Sequence, residues 1–446
     1  MEHLLQYLWA NRIVPLGQLM TTSNKKIEII DPGLINHDAG PDFFNAKIKI
    51  DGIVWVGNVE IHTASSMWKR HGHHLDKLYD SVILHVVNIV DCLVFTTKGE
   101  LIPQFQLFCS NQMKEQYQKL CNNNYFPRCS GIISTIPNLE ITNWLDELSE
   151  QRINWRADQI CQRMKRHNLD WEVTCFVTLA RSFGFGLNGD AFENWADIVN
   201  FKAASKHRDH LFQVEAIFLG QAGFLETAYP DDLYYVRLQS EYHYLRHKFS
   251  LKQIDKERWR LLRIRPYNFP PLRIAQLAHF FSTCPSLFSH ILDAKTVSDF
   301  NKLFKIDSSL YWQNHFTFGH VVSEADTLKE NHSDLQLEQK KRSSKKRQLT
   351  QKSLNLLVLN AVIPMLYAYG NVYSDKVIMN RALSFLKEMK AENNYIIRKW
   401  NDVGINIATA SHSQALIHLH KQYCEKRRCL YCRFGYHYLK GRTFEG

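Results

Sequence analysis

Residues 41–62 read PDFFNAKIKIDGIVWVGNVEIH, and the middle of that run decides how the N-terminal part folds. Ala46, Ile48 and Ile50 alternate with lysines, the period of a strand with one buried face. Asp51-Gly52 then offers the two consecutive positions of positive φ that a tight hairpin requires. The return strand is 53–62, and on it Val54, Val56, Asn58, Glu60 and His62 share a face. Working outward, 26–30 alternates as a further strand and stops at Asp31-Pro32-Gly33. Residues 2–12 form an amphipathic helix with Leu4, Leu5, Leu8 and Trp9 on one side. Downstream, 71–80 reads as helix and 82–90 as a near-continuous apolar strand suited to burial on both faces. A hairpin of 93–97 and 101–107, turning at Lys98-Gly99, closes the run.

The order helix, three strands, helix, strand and hairpin predicts an α/β domain with a mixed sheet over residues 1–110. A connector follows at 111–137. From 138 to 446 the period becomes helical, over 144–165, 171–183, 191–204, 214–225, 233–249 and 272–283, and again over 355–369, 374–389 and 411–423. The expectation is therefore a large, mostly α-helical second domain that carries a cysteine cluster at its C-terminal end.

A hydrophobic fraction of 45% and 12% aromatics over 446 residues suffice for two or three cores and exclude general disorder. The start, MEHLLQYLWANR, lacks the basic region and cleavage site of a secretory signal. No uninterrupted apolar run reaches the length a membrane helix needs, so the expected compartment is cytoplasmic, with no membrane partner. Ten cysteines in a reducing compartment point to thiols or metal ligands rather than disulfides. A net charge of +11 makes a polyanion, nucleic acid first, the expected partner. Arg263 and Arg265, with the run Lys340, Lys341, Arg342, Lys345, Lys346 and Arg347, are the candidate nucleic-acid-binding residues; that run also reads as a solvated face or linker.

Chemistry concentrates between Asp31 and His85. Glu60 and His62 are neighbours on one strand face, and Asp42 sits just before the partner strand. Two carboxylates and an imidazole suit a divalent cation, Mg²⁺ or Mn²⁺ if oxygen dominates, Zn²⁺ or Mn²⁺ if histidines join. His71, His73 and Asp76 are the further candidate ligands, with His71 paired to His74 and His73 to Asp76 one helical turn apart. His74 reads as a surface residue, His85 as a hydrogen-bonded core residue, and Tyr79 as packing.

With Pro41-Asp42 before the first hairpin strand and Glu60-Ile61-His62 on the second, this segment resembles the PD-(D/E)XK nuclease superfamily. The resemblance implies Asp42 and Glu60 as metal ligands, and His62 in the place of a lysine that positions the attacking water. It implies phosphodiester hydrolysis, with Asp42, Glu60 and His62 as catalytic residues. Two other readings fit the same residues: a non-catalytic nucleic-acid or protein-interaction scaffold on a degenerate nuclease fold, and a metal-dependent hydrolase of small molecules. Gly40-Pro41-Asp42-Phe43, Gly57-Asn58-Val59-Glu60-Ile61-His62 and His71-Gly72-His73…Asp76…Tyr79…Val82-Ile83-Leu84-His85-Val86-Val87, with Val214-Glu215-Ala216…Gly220-Gln221-Ala222-Gly223 and Arg265-Pro266…Asn268-Phe269-Pro270 further on, are motifs by which the chain, over nearly its whole length, resembles an uncharacterised Bacteroidetes-type bacterial family.

Cys424-x4-Cys429-x2-Cys432 is the sharpest spacing in the chain. Three thiolates so close suit zinc or an iron–sulfur cluster once a fourth ligand joins. Cys129 is the first choice for it, ahead of Cys121 and His437. Some nucleases of the resembled superfamily hold an iron–sulfur cluster between three C-terminal cysteines and one distant one.

Overall fold

Half-buried alternation builds the sheet. In β4 (Phe43–Ile50) the buried Phe43, Ala46, Ile48 and Ile50 are interleaved with Lys47 and Lys49. Asp51 and Gly52 take φ of 54° and 88°, and the chain returns as β5 (Ile53–Ala64) antiparallel to β4. On the other edge of β4 lies β2 (Lys26–Asp31), itself paired with β1 (Leu19–Met20). The short β3 (Leu34–Ile35) caps the start of β4. Beyond β5 the sheet turns parallel, first with β6 (Val82–Ile89), then with β7 (Gln104–Gln106). The sheet order is β1-β2-β4-β5-β6-β7, mixed as the sequence implies. Helix α1 (Glu2–Ala10) buries Leu4, Leu5, Leu8 and Trp9, and the Trp9 indole N–H donates to the Pro32 carbonyl.

The crossover from β5 to β6 departs from expectation. In place of a helix over 71–80 there is a short α2 (Met67–Arg70) followed by two single 3₁₀ turns, His73–Leu75 and Lys77–Tyr79. Gly72 breaks the helix at φ 79°, and Asp76 caps the second turn by accepting from the Leu78 N–H. The expected closing hairpin survives as a bridge between Phe95 and Leu101, while Gln104–Gln106 leaves it to extend the main sheet.

The computed structural model describes residues 1–13, 18–36, 38–227, 229–321 and 348–440. The chain divides into two compact units. The first comprises Met1–Trp144, Asn394–Asn406 and Ile417–Gly446; the second comprises Leu145–Asn393 and Ile407–Leu416. The C-terminal cysteines thus belong to the unit that holds the sheet, rather than to a continuous helical domain from 138 to 446.

The second unit is helical around one aromatic-rich core, in which Trp195, Phe218, Tyr235 and Tyr242 are fully buried. Asp170 and Asp232 cap the helices Trp171–Phe183 and Leu233–Phe249 through their carboxylates. The single helix expected over 191–204 is two, because Asn200 leaves the helical path and caps Phe201–Lys206. Among the described residues one helix, Gln351–Val372, is long and apolar enough to cross a membrane by length and composition, although the sequence reading expected none; 72% of its apolar window is buried inside the protein. It contains a π-turn at Val358–Val362 just ahead of Pro364. Proline has no N–H for the Asn360 carbonyl, and Arg156 Nη1 supplies the missing donor at 3.2 Å.

Candidate metal centre

Two strands and one loop converge at the β5–β6 junction. Asp42 and Glu60 hold each other through the backbone: the Asp42 N–H donates to Glu60 Oε2 at 3.0 Å, and the Ile61 N–H donates to Asp42 Oδ2 at 3.0 Å. From α1, Gln6 Nε2 donates to Asp42 Oδ1 at 2.9 Å. Both Asp42 oxygens are therefore engaged, and Glu60 Oε1 is left facing the histidines. It lies 3.4 Å from His62 Nε2 and 3.3 Å from His73 Nε2. His62 Nε2 in turn lies 3.1 Å from His71 Nδ1. One ring nitrogen from each of His62, His71 and His73 falls within 4.8 Å of the other two. The left-handed conformation of Gly72 reverses the chain between His71 and His73, so both imidazoles reach the same point.

A second layer fixes these rings. His62 Nδ1 is 2.9 Å from His85 Nε2, which lies on the paired strand β6. The His73 ring stacks on Tyr79 with centroids 3.8 Å apart, and Trp68 packs edge-on against His73. With His62 Nδ1 donating to His85, the Nε2 lone pair points into the cluster, the tautomer a metal-ligating imidazole needs.

Electrostatics show what the cluster lacks. Burial, and the adjacent Glu60 carboxylate, push the Asp42 carboxyl well above its ordinary range; burial does the same to Glu60. Burial pushes His62, His73 and His85 down, with neighbouring imidazoles opposing protonation of His62 and His85. Acids and imidazoles alike are held near neutrality, and His73 Nε2, buried, has no hydrogen bond of acceptable geometry. A divalent cation reverses that balance, since it favours ionised carboxylate and unprotonated imidazole together. The three imidazole nitrogens, with Glu60 Oε1 beside two of them, fit such an ion.

The remaining sequence candidates fall differently. Asp76 points a carboxylate oxygen at the Leu78 N–H, a capping role, and neither helical pair expected over 71–76 exists. His71 and His73, two apart, share the cluster; His74 stands outside it. Gln6 went unnoticed in the sequence, for nothing in a helix 36 residues upstream marks it as a partner of Asp42. Cys129, Cys424, Cys429 and Cys432 line one cavity. Cys121 and His437 do not line it, and His437 Nε2 is 2.8 Å from Glu140. Arg263 and Arg265 are exposed in the second unit. Lys340, Lys341, Arg342, Lys345, Lys346 and Arg347 lie outside the described residues.

A family described as "Protein of unknown function (DUF2851)" matches residues 2–337 and 330–395, and the chain belongs to it. None of the curated proteins and none of the solved structures matches the chain.

Proposed function

We propose that the first unit is a metal-dependent phosphodiesterase of the nuclease kind, acting on nucleic acid. The observation that carries this reading is the convergence of ring nitrogens of His62, His71 and His73, with Glu60 Oε1 against His62 Nε2 and His73 Nε2 and Asp42 clasped beside it. The helix, antiparallel strands, crossover and parallel strand around it support the likeness to the PD-(D/E)XK superfamily, with Asp42 and Glu60 at the two acidic positions. A nitrogen-rich set favours Mn²⁺ or Zn²⁺ over Mg²⁺, which prefers oxygen and retained water.

Glu60, His62, His71 and His73 would hold the ion, and Asp42 would fix the Glu60 carboxylate through its own N–H. A divalent ion there supplies Lewis acidity at a phosphoryl oxygen and makes water more acidic. His85 orients His62 through Nδ1, and Tyr79 holds the plane of His73. His71 is the exposed member of the trio, so substrate and solvent reach the cluster from its side.

The test is full-length protein stripped of metal, then refilled separately with Mn²⁺, Zn²⁺ or Mg²⁺ and offered single- and double-stranded DNA and RNA. Cleavage is expected with Mn²⁺ or Zn²⁺ and is expected to be lost in Glu60→Gln. Full cleavage by Glu60→Gln, or no bound metal by calorimetry, overturns the reading. Metal-dependent hydrolysis of a small aryl phosphodiester, with nucleic acid left intact, moves the substrate to the small-molecule class.

A further inference from the structure

The helical second unit holds an open pocket of about 930 Å³, at the upper end of the range for small-molecule sites. Two polar residues shape it. Asn200 breaks the helical path between Gly189–Ile198 and Phe201–Lys206, and its Oδ1 accepts the Ala203 N–H at 3.0 Å. Gln221, fully buried, fixes that break. Its Oε1 accepts the Asn200 N–H at 3.1 Å, and its Nε2 donates to the Ile198 carbonyl at 3.0 Å and the Lys252 carbonyl at 2.8 Å. A buried amide satisfied in this way holds the backbone around the pocket in one arrangement.

Apolar side chains dominate the lining, with Val173, Phe176, Phe201, Leu251, Phe280 and Phe281 among them. The rings meet edge to face, Phe176 with Phe201 at 77° and with Phe281 at 86°. Four cations, Lys202, Lys206, Arg208 and Lys252, line the same pocket, and the three lysines are exposed. Lys202 and Lys206 lie one turn apart on their helix. The Arg208 guanidinium lies over the face of Phe281, its Cζ 4.2 Å from the ring centre, and its Nη1 is buried with no hydrogen-bond partner. An aromatic face holds this cation in place and leaves its charge unneutralised. The two acids of the lining are turned to helix ends. Asp170 Oδ1 accepts from the Glu172 and Val173 N–H groups, and Glu172 Oε2 accepts the Phe288 N–H at 3.0 Å.

The chemistry of the lining separates the candidate ligands. A nucleotide needs an open aromatic face to stack on and polar groups to meet the edge of its base. Here the rings present edges to one another, and one face of Phe281 is taken by Arg208. Gln221 and Asn200 Oδ1 are already bonded to backbone. An alkyl chain needs neither feature, since it gains from contact with any apolar surface in proportion to the area covered. A negative group at its end then meets the cations.

We infer that this pocket of the second unit binds a single-chain amphiphile with an anionic head, a carboxylate or a phosphate on an alkyl tail. The tail lies among Phe176, Phe201, Phe280 and Phe281, and the head reaches Lys202, Lys206, Arg208 and Lys252. Cys284, a partly exposed free thiol on the same lining, is shielded when the pocket is filled. Binding here asks nothing of the histidine cluster in the first unit.

The experiment is calorimetry of the full chain with octanoate, decanoate and dodecanoate, then with the alkyl phosphates of equal length, each below its micelle concentration. Affinity is expected to rise about fourfold for each added methylene. Decanol, uncharged at the same length, is expected to bind about 10- to 100-fold more weakly than decanoate. Arg208→Gln is expected to weaken the anions by a similar factor. Ser205→Trp, at an exposed position of the lining, narrows the pocket and is expected to weaken dodecanoate, which keeps the test open if Arg208→Gln unfolds. Bound decanoate is expected to slow maleimide labelling of Cys284, read by peptide mass spectrometry, and to leave Cys121 of the first unit unchanged. The stronger of the two series identifies the head. Affinity that ignores chain length, decanol as tight as decanoate, or a nucleoside monophosphate bound more tightly than dodecanoate overturns the inference, and so does no binding of any of these anions.

Discussion

Replacing Glu60 by glutamine separates a metal centre from a merely buried polar network, because the two give opposite signs. Glutamine keeps the oxygen that accepts the Asp42 N–H but carries no charge for a cation. An ion bound only to the folded protein stabilises it by RT ln(1 + [M]/Kd), about 2.7 kcal/mol at a hundredfold excess over Kd. For a unit of this size each kcal/mol moves the melting temperature by about 2–4 °C, so the wild type should gain about 5–10 °C. If losing the carboxylate weakens binding about a hundredfold, the same metal concentration only equals the new Kd. The gain then falls to about 0.4 kcal/mol, roughly 1 °C. Mn²⁺ is the ion to use, since it prefers nitrogen and oxygen to thiolate and leaves the cysteines out of the readout. Without metal the order reverses. Burial raises the Glu60 carboxyl, so the folded state keeps a proton that the unfolded chain gives up. The Glu60 contribution to the stability of the metal-free wild type therefore falls as pH rises from the ordinary 4.5 toward about 8, and Glu60→Gln should remove that contribution while those of Asp42 and the histidines remain. Differential scanning fluorimetry with and without Mn²⁺, from pH 5 to 9, measures both. A full Mn²⁺ shift in Glu60→Gln, or none in the wild type, refutes the reasoning.

Three further outcomes are expected. His85→Phe preserves the packing beside Trp68 but removes the partner of His62 Nδ1, and should weaken Mn²⁺ binding about 10- to 100-fold by calorimetry while circular dichroism stays unchanged. In the second unit, burial alone would raise Glu193, but Arg163, Arg181 and Arg166 hold it down at about 2. The stability this contributes is present above the ordinary value of 4.5 and is lost as pH falls from there toward 2. Glu193→Gln should cost on the order of 3 kcal/mol by urea titration at pH 7 and flatten that acid limb. Finally, if Arg263 and Arg265 each contact a phosphate, the double alanine variant should lower the slope of log K against log salt by about 1.4–1.8 for nucleic acid; an unchanged slope removes them from the interface.

The sheet was legible because its signals are local. Asp51-Gly52 fixes a turn that few other dipeptides make, and alternation from Ala46 to Ile50 fixes which face is buried. Glu60 and His62 share a face for the same reason, and their closeness follows from strand geometry alone. The crossover was misread because periodicity over 71–80 suits a helix, whereas one glycine at φ 79° and a capping aspartate make two separate turns. That error shifted the histidine pairing from His71 and His73 to His71 and His74. Density alone marked the cysteines at 424, 429 and 432, but the choice of Cys129 over Cys121 or His437 depends on tertiary approach, which spacing does not encode. Nor did any local feature announce that the segment after Ile417 belongs with the N-terminal sheet.

The departure at His62 bears most on the chemistry. In the superfamily that the N-terminal segment resembles, the residue two beyond the second acid is a lysine, whose fixed positive charge sits next to the reacting phosphate. His62 has no solvent exposure, and its neighbours within reach are His71, His73 and His85, so protonating it means placing a cation among imidazoles in a desolvated pocket. Glu60 does not rescue that charge, because burial keeps Glu60 protonated as well. An imidazole under these constraints contributes a lone pair and not a charge. The positive charge that phosphodiester chemistry needs must then come from a bound ion, and two further histidines, brought to the same point by Gly72, supply the extra nitrogen donors that a firmly held transition ion requires. On the proposed nuclease reading, the histidine in the lysine's place and the pair His71 and His73 act as one device. It predicts that His62→Lys supports no activity while His71 and His73 remain, because an ammonium introduced beside two metal-facing imidazoles repels the ion they hold. Cleavage by His62→Lys at or above the wild-type rate in Mn²⁺ would break the link between the two features.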